Sequence, residues 1–115
     1  MPYLSIHTNV ELPGAKQDAL LKAASRVIAE QLGKPGQYVM AGIGGKLQMI
    51  FAGSGAPTAF LSLKSIGLPD AKLTPLSAAL CKLLDEHAGI AADRVYIEFT
   101  DVRAKYWGFD GGTFG

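Results

Sequence analysis

One cysteine in 115 residues rules out an internal disulfide, and Cys81 has no CxxC partner with which to run thiol redox chemistry or bind zinc. Set among Leu80, Leu83 and Leu84, it reads as a small core residue. Neither sign of charge dominates: 11 Lys and Arg against 10 Asp and Glu give a formal net charge of +1, and the basic residues are dispersed rather than gathered into a stripe. No nucleic acid is therefore expected as a partner. Long apolar runs are also missing. Nothing approaches the roughly 18 residues of a membrane span, and the first residues lack the charged start, apolar run and cleavage site of a signal peptide. A soluble, cytoplasmic protein with no membrane partner is the default expectation, with release without a signal peptide left open. His7 and His87 have no acidic or metal-site partners in the sequence, so no metal ion or cofactor is called for.

What the chain does have is hydrophobic content, 49%, enough for one globular domain over residues 1–115 with a modest core. Met1 is followed by Pro2, and Pro2 runs straight into strand-like sequence. If Met1 is clipped, Pro2 becomes a secondary amine at the edge of a sheet. An α-amine has a reference pKa near ~8, and burial or a nearby cation lowers it further, so such a group can act as a general base near neutral pH. Taken alone, Pro2 is as well explained as a tolerated second residue.

The hydrophobic pattern gives strand, helix, strand, and then repeats. Tyr3 to Thr8 alternates, with Leu4, Ile6 and Thr8 on one face and Tyr3, Ser5 and His7 on the other. From Gly14 to Leu32, Leu21, Ala24, Ile28 and Leu32 fall at helical spacing, and Gly33 supplies the stop. Val39 to Ile43 and Gln48 to Ala52 read as short strands around a turn at Gly44-Gly45-Lys46. The glycine cluster there lacks the ending of a phosphate-binding loop. Ala59 to Ile66 is a strand, and the helix after it carries Leu76, Leu80, Leu83 and Leu84. Either Thr74-Pro75 or Asp70 can start that helix, and it ends at Gly89. Val95 to Thr100 forms the next strand, with Val95, Ile97 and Phe99 facing one way. The halves are in register: Glu30-x-x-Gly33 and Glu86-x-x-Gly89 lie 56 residues apart (89 − 33), as do Val39 and Val95 (95 − 39). Two βαβ pseudo-repeats predict an α+β fold, a four-stranded mixed sheet with both helices on one face.

That arrangement leaves the other sheet face uncovered, Tyr3 included, and burial against further copies is the obvious remedy. The segment Ala104 to Phe109 is aromatic, too short to make a sheet of its own, and is expected to extend a neighbour's edge. A homo-oligomer follows.

Six ordered motifs carry a family resemblance across essentially the whole chain: Met1-Pro2, Thr8-Asn9, Gly33-Lys34-Pro35-x-Gln37-Tyr38, Ser65-Ile66-Gly67, Asp93-Arg94-Val95-Tyr96-Ile97, and Gly108 with Thr113-Phe114. Together they resemble the macrophage migration inhibitory factor family of the tautomerase superfamily. The resemblance implies a homotrimer of βαβ repeats in which Pro2 moves a proton between carbon and oxygen of a small aromatic 2-keto acid, an intramolecular isomerase of the phenylpyruvate or dopachrome tautomerase type. By the same resemblance Lys34 holds the substrate carboxylate and lowers the Pro2 pKa, and the backbone N–H of Ile66 binds that carboxylate too. Tyr96 reaches the site from a neighbouring subunit. Tyr3, Tyr38, Trp107, Phe109 and Phe114 line or border an apolar pocket where an aromatic substrate stacks.

Departures from the family pattern bear on specificity. Glu98 stands where the vertebrate cytokine has an asparagine that positions a substrate's aromatic hydroxyl, so a carboxylate faces an anionic substrate there. Thr58-Ala59-Phe60-Leu61 replaces that protein's Cys-x-x-Cys, which removes the thiol oxidoreductase activity proposed for it. The family's pocket tryptophan position holds Phe109, with Trp107 two residues earlier. The rival to the enzyme reading is a cytokine-like protein-binding module with vestigial tautomerase activity, whose receptor is unknown from one sequence.

Overall fold

Alternation in the first strand decides the layering. In a computed structural model describing residues 1–115, β1 (Pro2–Thr8) buries Pro2, Leu4, Ile6 and Thr8 on one face and turns Tyr3, Ser5 and His7 toward the other. β2 (Met40–Gly44) lies parallel to β1, β3 (Ala59–Ile66) antiparallel to β1, and β4 (Val95–Val102) parallel to β3, giving the sheet order β2-β1-β3-β4. Register sets Leu4 opposite Leu63 and Ile6 opposite Leu61, so one face of the sheet is a continuous aliphatic layer. Both helices pack on it, α1 (Gly14–Leu32) through Leu20, Ala24 and Ile28 and α2 (Leu73–Ala88) through Leu76, Leu80 and Leu84. Fully burying a leucine of this kind contributes about 1.5–3 kcal/mol, so this layer dominates the stability of the fold.

Each helix ends on a glycine in the left-handed conformation, Gly33 at φ 62° and Gly89 at φ 66°, the repeat visible in the sequence made physical. The start of α2 follows neither candidate side chain. A 3₁₀ turn over Asp70–Lys72 feeds the helix at Leu73, and no side chain caps it. Pro75 sits in the first turn, where its missing N–H costs nothing. Polar groups at the end of the core are internally satisfied: Thr8 Oγ1 donates to the Thr58 carbonyl at 2.7 Å, and Thr58 Oγ1 donates to that of Arg94 at 2.6 Å.

Three expectations need correction. Gln48 to Ala52 is not a strand: the four sheet strands offer it no edge within this chain, and only a local bridge joins Phe51 to Ser54. Cys81 is only partly buried, on the flank of α2 rather than on its Leu76–Leu80–Leu84 stripe. The aromatic tail does form a sheet of its own, a two-stranded hairpin of β5 (Gly108–Phe109) and β6 (Gly112–Thr113). Its turn is Asp110-Gly111, both at positive φ, the dipeptide that suits a type I′ hairpin turn. No helix is long and apolar enough to cross a membrane.

Candidate functional site

The start of β1 is pinned between β2 and β3, with Pro2 opposite Ser65 and Tyr3 opposite both Met40 and Lys64. Above it opens a cavity of about 420 Å³ whose lining includes Met1, Pro2, Tyr3, Tyr38, Trp107, Phe109 and Phe114. The hairpin of β5 and β6 closes one wall: Phe109 stacks on Phe114 at 5.6 Å between centroids, and the Phe114 N–H donates to the Trp107 carbonyl at 3.2 Å. Tyr38 ends the 3₁₀ turn Gly36–Tyr38 that leads into β2 and forms the opposite side.

Lys34 reaches the same corner from below. The left-handed Gly33 reverses the chain, the Lys34 N–H donates back to Ala29 at 3.0 Å, and the side chain then runs to the end of β3, where Nζ donates to the Ile66 carbonyl at 3.1 Å. Its charge is felt at the chain terminus. The Met1 amine has its pKa lowered, first by burial, then by the Lys34 charge and by a hydrogen bond from Lys34. A lowered amine pKa means more of the neutral, basic form at neutral pH.

Pro2, Tyr3, Tyr38, Trp107, Phe109 and Phe114 thus converge, with Lys34 and Ile66 at the corner. Tyr96 and Glu98 do not join them within the chain. They lie on the helix-free face of β4, paired in register with Phe60 and Ser62, and β3 separates them from β1. Tyr96 is 60% exposed. Gln37, Val39, Met40 and Gly108 also line the cavity and were not singled out from the sequence. Met40 was legible in principle, because the first residue of a strand parallel to β1 must lie beside Tyr3.

A larger, more open groove of about 730 Å³ runs between α2 and β4 and includes Cys81, Lys82, Asp85 and Phe99. Burial pushes the Cys81 thiol pKa up, the wrong direction for a nucleophile. The smaller cavity is the one with a tuned base.

Comparison with known proteins agrees with this geometry. The family model described as macrophage migration inhibitory factor (MIF) matches residues 1–115. The chain belongs to the macrophage migration inhibitory factor family. Within this family, which sits in the tautomerase superfamily, it is 43% identical over 116 residues to the homologue of Brugia malayi, with 100% of both chains covered, and 36% identical to the protein of Meriones unguiculatus, with 99% of both covered. The crystal structure of the family homologue from Prochlorococcus marinus superposes with a TM-score of 0.94 at 38% identity, covering 98% of this chain and 99% of that one. The family member of Toxoplasma gondii matches with a TM-score of 0.93 at 37% identity, covering 97% and 99%.

Proposed function

We propose that the chain is a keto–enol tautomerase of aromatic 2-keto acids in which Pro2, freed of Met1, is the general base. One observation carries the reading: the chain's terminal amine, with its pKa lowered by burial and by Lys34, opens into a cavity walled by aromatic rings. The neutral Pro2 amine takes a proton from the carbon next to the ketone, and the electron pair of that C–H bond becomes the enolate. The same proton, or one from solvent, then returns to the oxygen to give the enol. The Lys34 ammonium, already at the Ile66 carbonyl, pairs with the substrate carboxylate, and the Ile66 N–H donates to it. Tyr3, Tyr38, Trp107, Phe109 and Phe114 stack on the substrate ring. The test is a kinetic panel of 2-keto acids on Met1-free protein. Phenylpyruvate is expected to turn over faster than pyruvate-like aliphatic acids, and absence of turnover for every acid overturns the reading.

Tyr96 and Glu98 complete the site from a neighbouring subunit, which makes a homotrimer part of the proposal. Met40 is 67% and Ile50 is 73% exposed, an apolar surface more fitting to an interface than to water. Light scattering at micromolar concentration should give three times the chain mass. A monomer with intact activity refutes the assembly. At the same subunit boundary, Glu98→Asn should lower KM for p-hydroxyphenylpyruvate by roughly a few-fold, because one exposed like charge is removed at high effective dielectric. Unchanged kinetics would mean that Glu98 points away from the substrate.

A further inference from the structure

Arg94 has no carboxylate partner among the ion pairs of the chain. Its guanidinium is committed instead to backbone: it donates to the carbonyls of Phe51 at 2.7 Å, Ser54 at 3.2 Å, Ala56 at 3.0 Å and Pro57 at 3.3 Å. Five fixed donors in a planar fork suit that task, and a lysine cannot reproduce it. The loop it grips is also held from the other side. Asn9 donates to the Gly55 and Ala56 carbonyls and accepts from the Thr58 N–H at 2.9 Å.

At the head of this loop, Phe51 and Ser54 exchange two backbone hydrogen bonds of 3.0 Å around Ala52 and Gly53, both at positive φ. Alanine at φ 52° is uncommon and unfavourable, and it persists where the surroundings over-determine the turn. The result of this fixation is the position of one ring. Phe51 lies 5.1 Å from the Arg94 guanidinium on one side and 4.7 Å from the Tyr96 ring on the other, tilted by 33°. Tyr96 is otherwise 60% exposed, so Phe51 is the contact that limits where it points.

We infer that Arg94 is a positioning residue that acts through Phe51 to hold the Tyr96 ring in the orientation that meets substrate in the neighbouring subunit's site. The inference rests on the proposed substrate role of Tyr96. An exposed aromatic side chain that must be ordered on binding weakens affinity, and one ordered beforehand does not.

The test compares Phe51→Leu, Arg94→Lys, the double variant and Tyr96→Ala with the parent, all Met1-free, by phenylpyruvate kinetics over pH, thermal unfolding and mass in solution. Phe51→Leu keeps apolar bulk but removes the ring-on-ring contact, and KM should rise by about two- to tenfold. The pH profile of kcat should not move, because Pro2 and Lys34 are untouched. Arg94→Lys should raise KM similarly, and the double variant should be no worse than the worse single, the sign of action through one ring. Additive losses, or a displaced pH profile, overturn the inference. If Arg94→Lys does not fold, Phe51→Leu decides alone: a parental KM there, with KM raised by Tyr96→Ala, overturns the positioning role and leaves the tautomerase reading standing. A parental KM in Tyr96→Ala removes the substrate role of Tyr96 and the inference with it.

Discussion

Phenylpyruvate turnover is expected only from chains that have lost Met1, and the difference between clipped and unclipped fractions should exceed a factor of about 100, the lower range of what a positioned general base supplies. With Met1 in place the Pro2 nitrogen is an amide, its lone pair is delocalised into the carbonyl, and it is not a base. Met1 also shares the cavity lining with Pro2, so a retained Met1 occupies space that substrate needs. The Met1 amine itself carries the lowered pKa, but it sits one residue beyond the position at which Lys34 and Ile66 are arranged. Intact-mass spectrometry paired with the assay on each fraction gives the answer. Equal turnover by a fraction proven to retain Met1 would sink the Pro2 mechanism. Pro2→Gly, also clipped, should lose most activity, because a primary amine on a freely rotating residue replaces a secondary amine fixed by the ring. A receptor-type surface interaction would survive that change, which separates the enzyme reading from the cytokine-like one.

The fold was legible where a periodic pattern and a stop coincided. Alternation at Tyr3 to Thr8 and the leucines of α2 follow directly from a sheet that is buried on one face, and Gly33 and Gly89 end helices because only glycine takes φ near 60° without strain. Gln48 to Ala52 failed for a physical reason: strand propensity describes side chains on a pleated surface, and a strand exists only if a partner edge is available. The tail failed in the opposite sense. Its rings suggested an interface, while Asp110-Gly111, the signal for a hairpin, went unread. The site divided along the same line. Residues local to the start of β1 and the hairpin could be brought together within one chain, but Tyr96 and Glu98 point away from Pro2, and no pattern within one copy can bring them to it. The grip of Arg94 on four carbonyls was likewise invisible, since carbonyls leave no trace in residue identity.

Lys34→Met should separate two roles that one cation performs. Losing the ammonium removes the partner of the substrate carboxylate, and a desolvated charge-assisted contact of this kind is worth about 2 kcal/mol or more, so KM for phenylpyruvate should rise by roughly 30-fold or more. The second effect is on the base. The Lys34 charge contributes to lowering the terminal amine's pKa, and only the neutral amine accepts a proton, so activity rises as pH climbs through that pKa. Without Lys34 the acidic limb of the kcat profile should move to higher pH. It should not travel the whole way to the ordinary amine value, because burial is the larger cause and remains. The two effects come apart with a neutral substrate: for the methyl ester of phenylpyruvate the KM penalty should largely vanish, while the shifted limb should persist. Lys34→Arg keeps the charge and should hold the limb near its parental position even if the changed geometry raises KM. Nζ also ties the end of α1 to the Ile66 carbonyl, so a purely structural role predicts something different, a loss in thermal stability with parallel losses on both substrates and no movement of the limb. A limb unmoved in Lys34→Met, with the fold intact, would leave burial alone as the source of the tuned amine and reduce Lys34 to a carboxylate anchor.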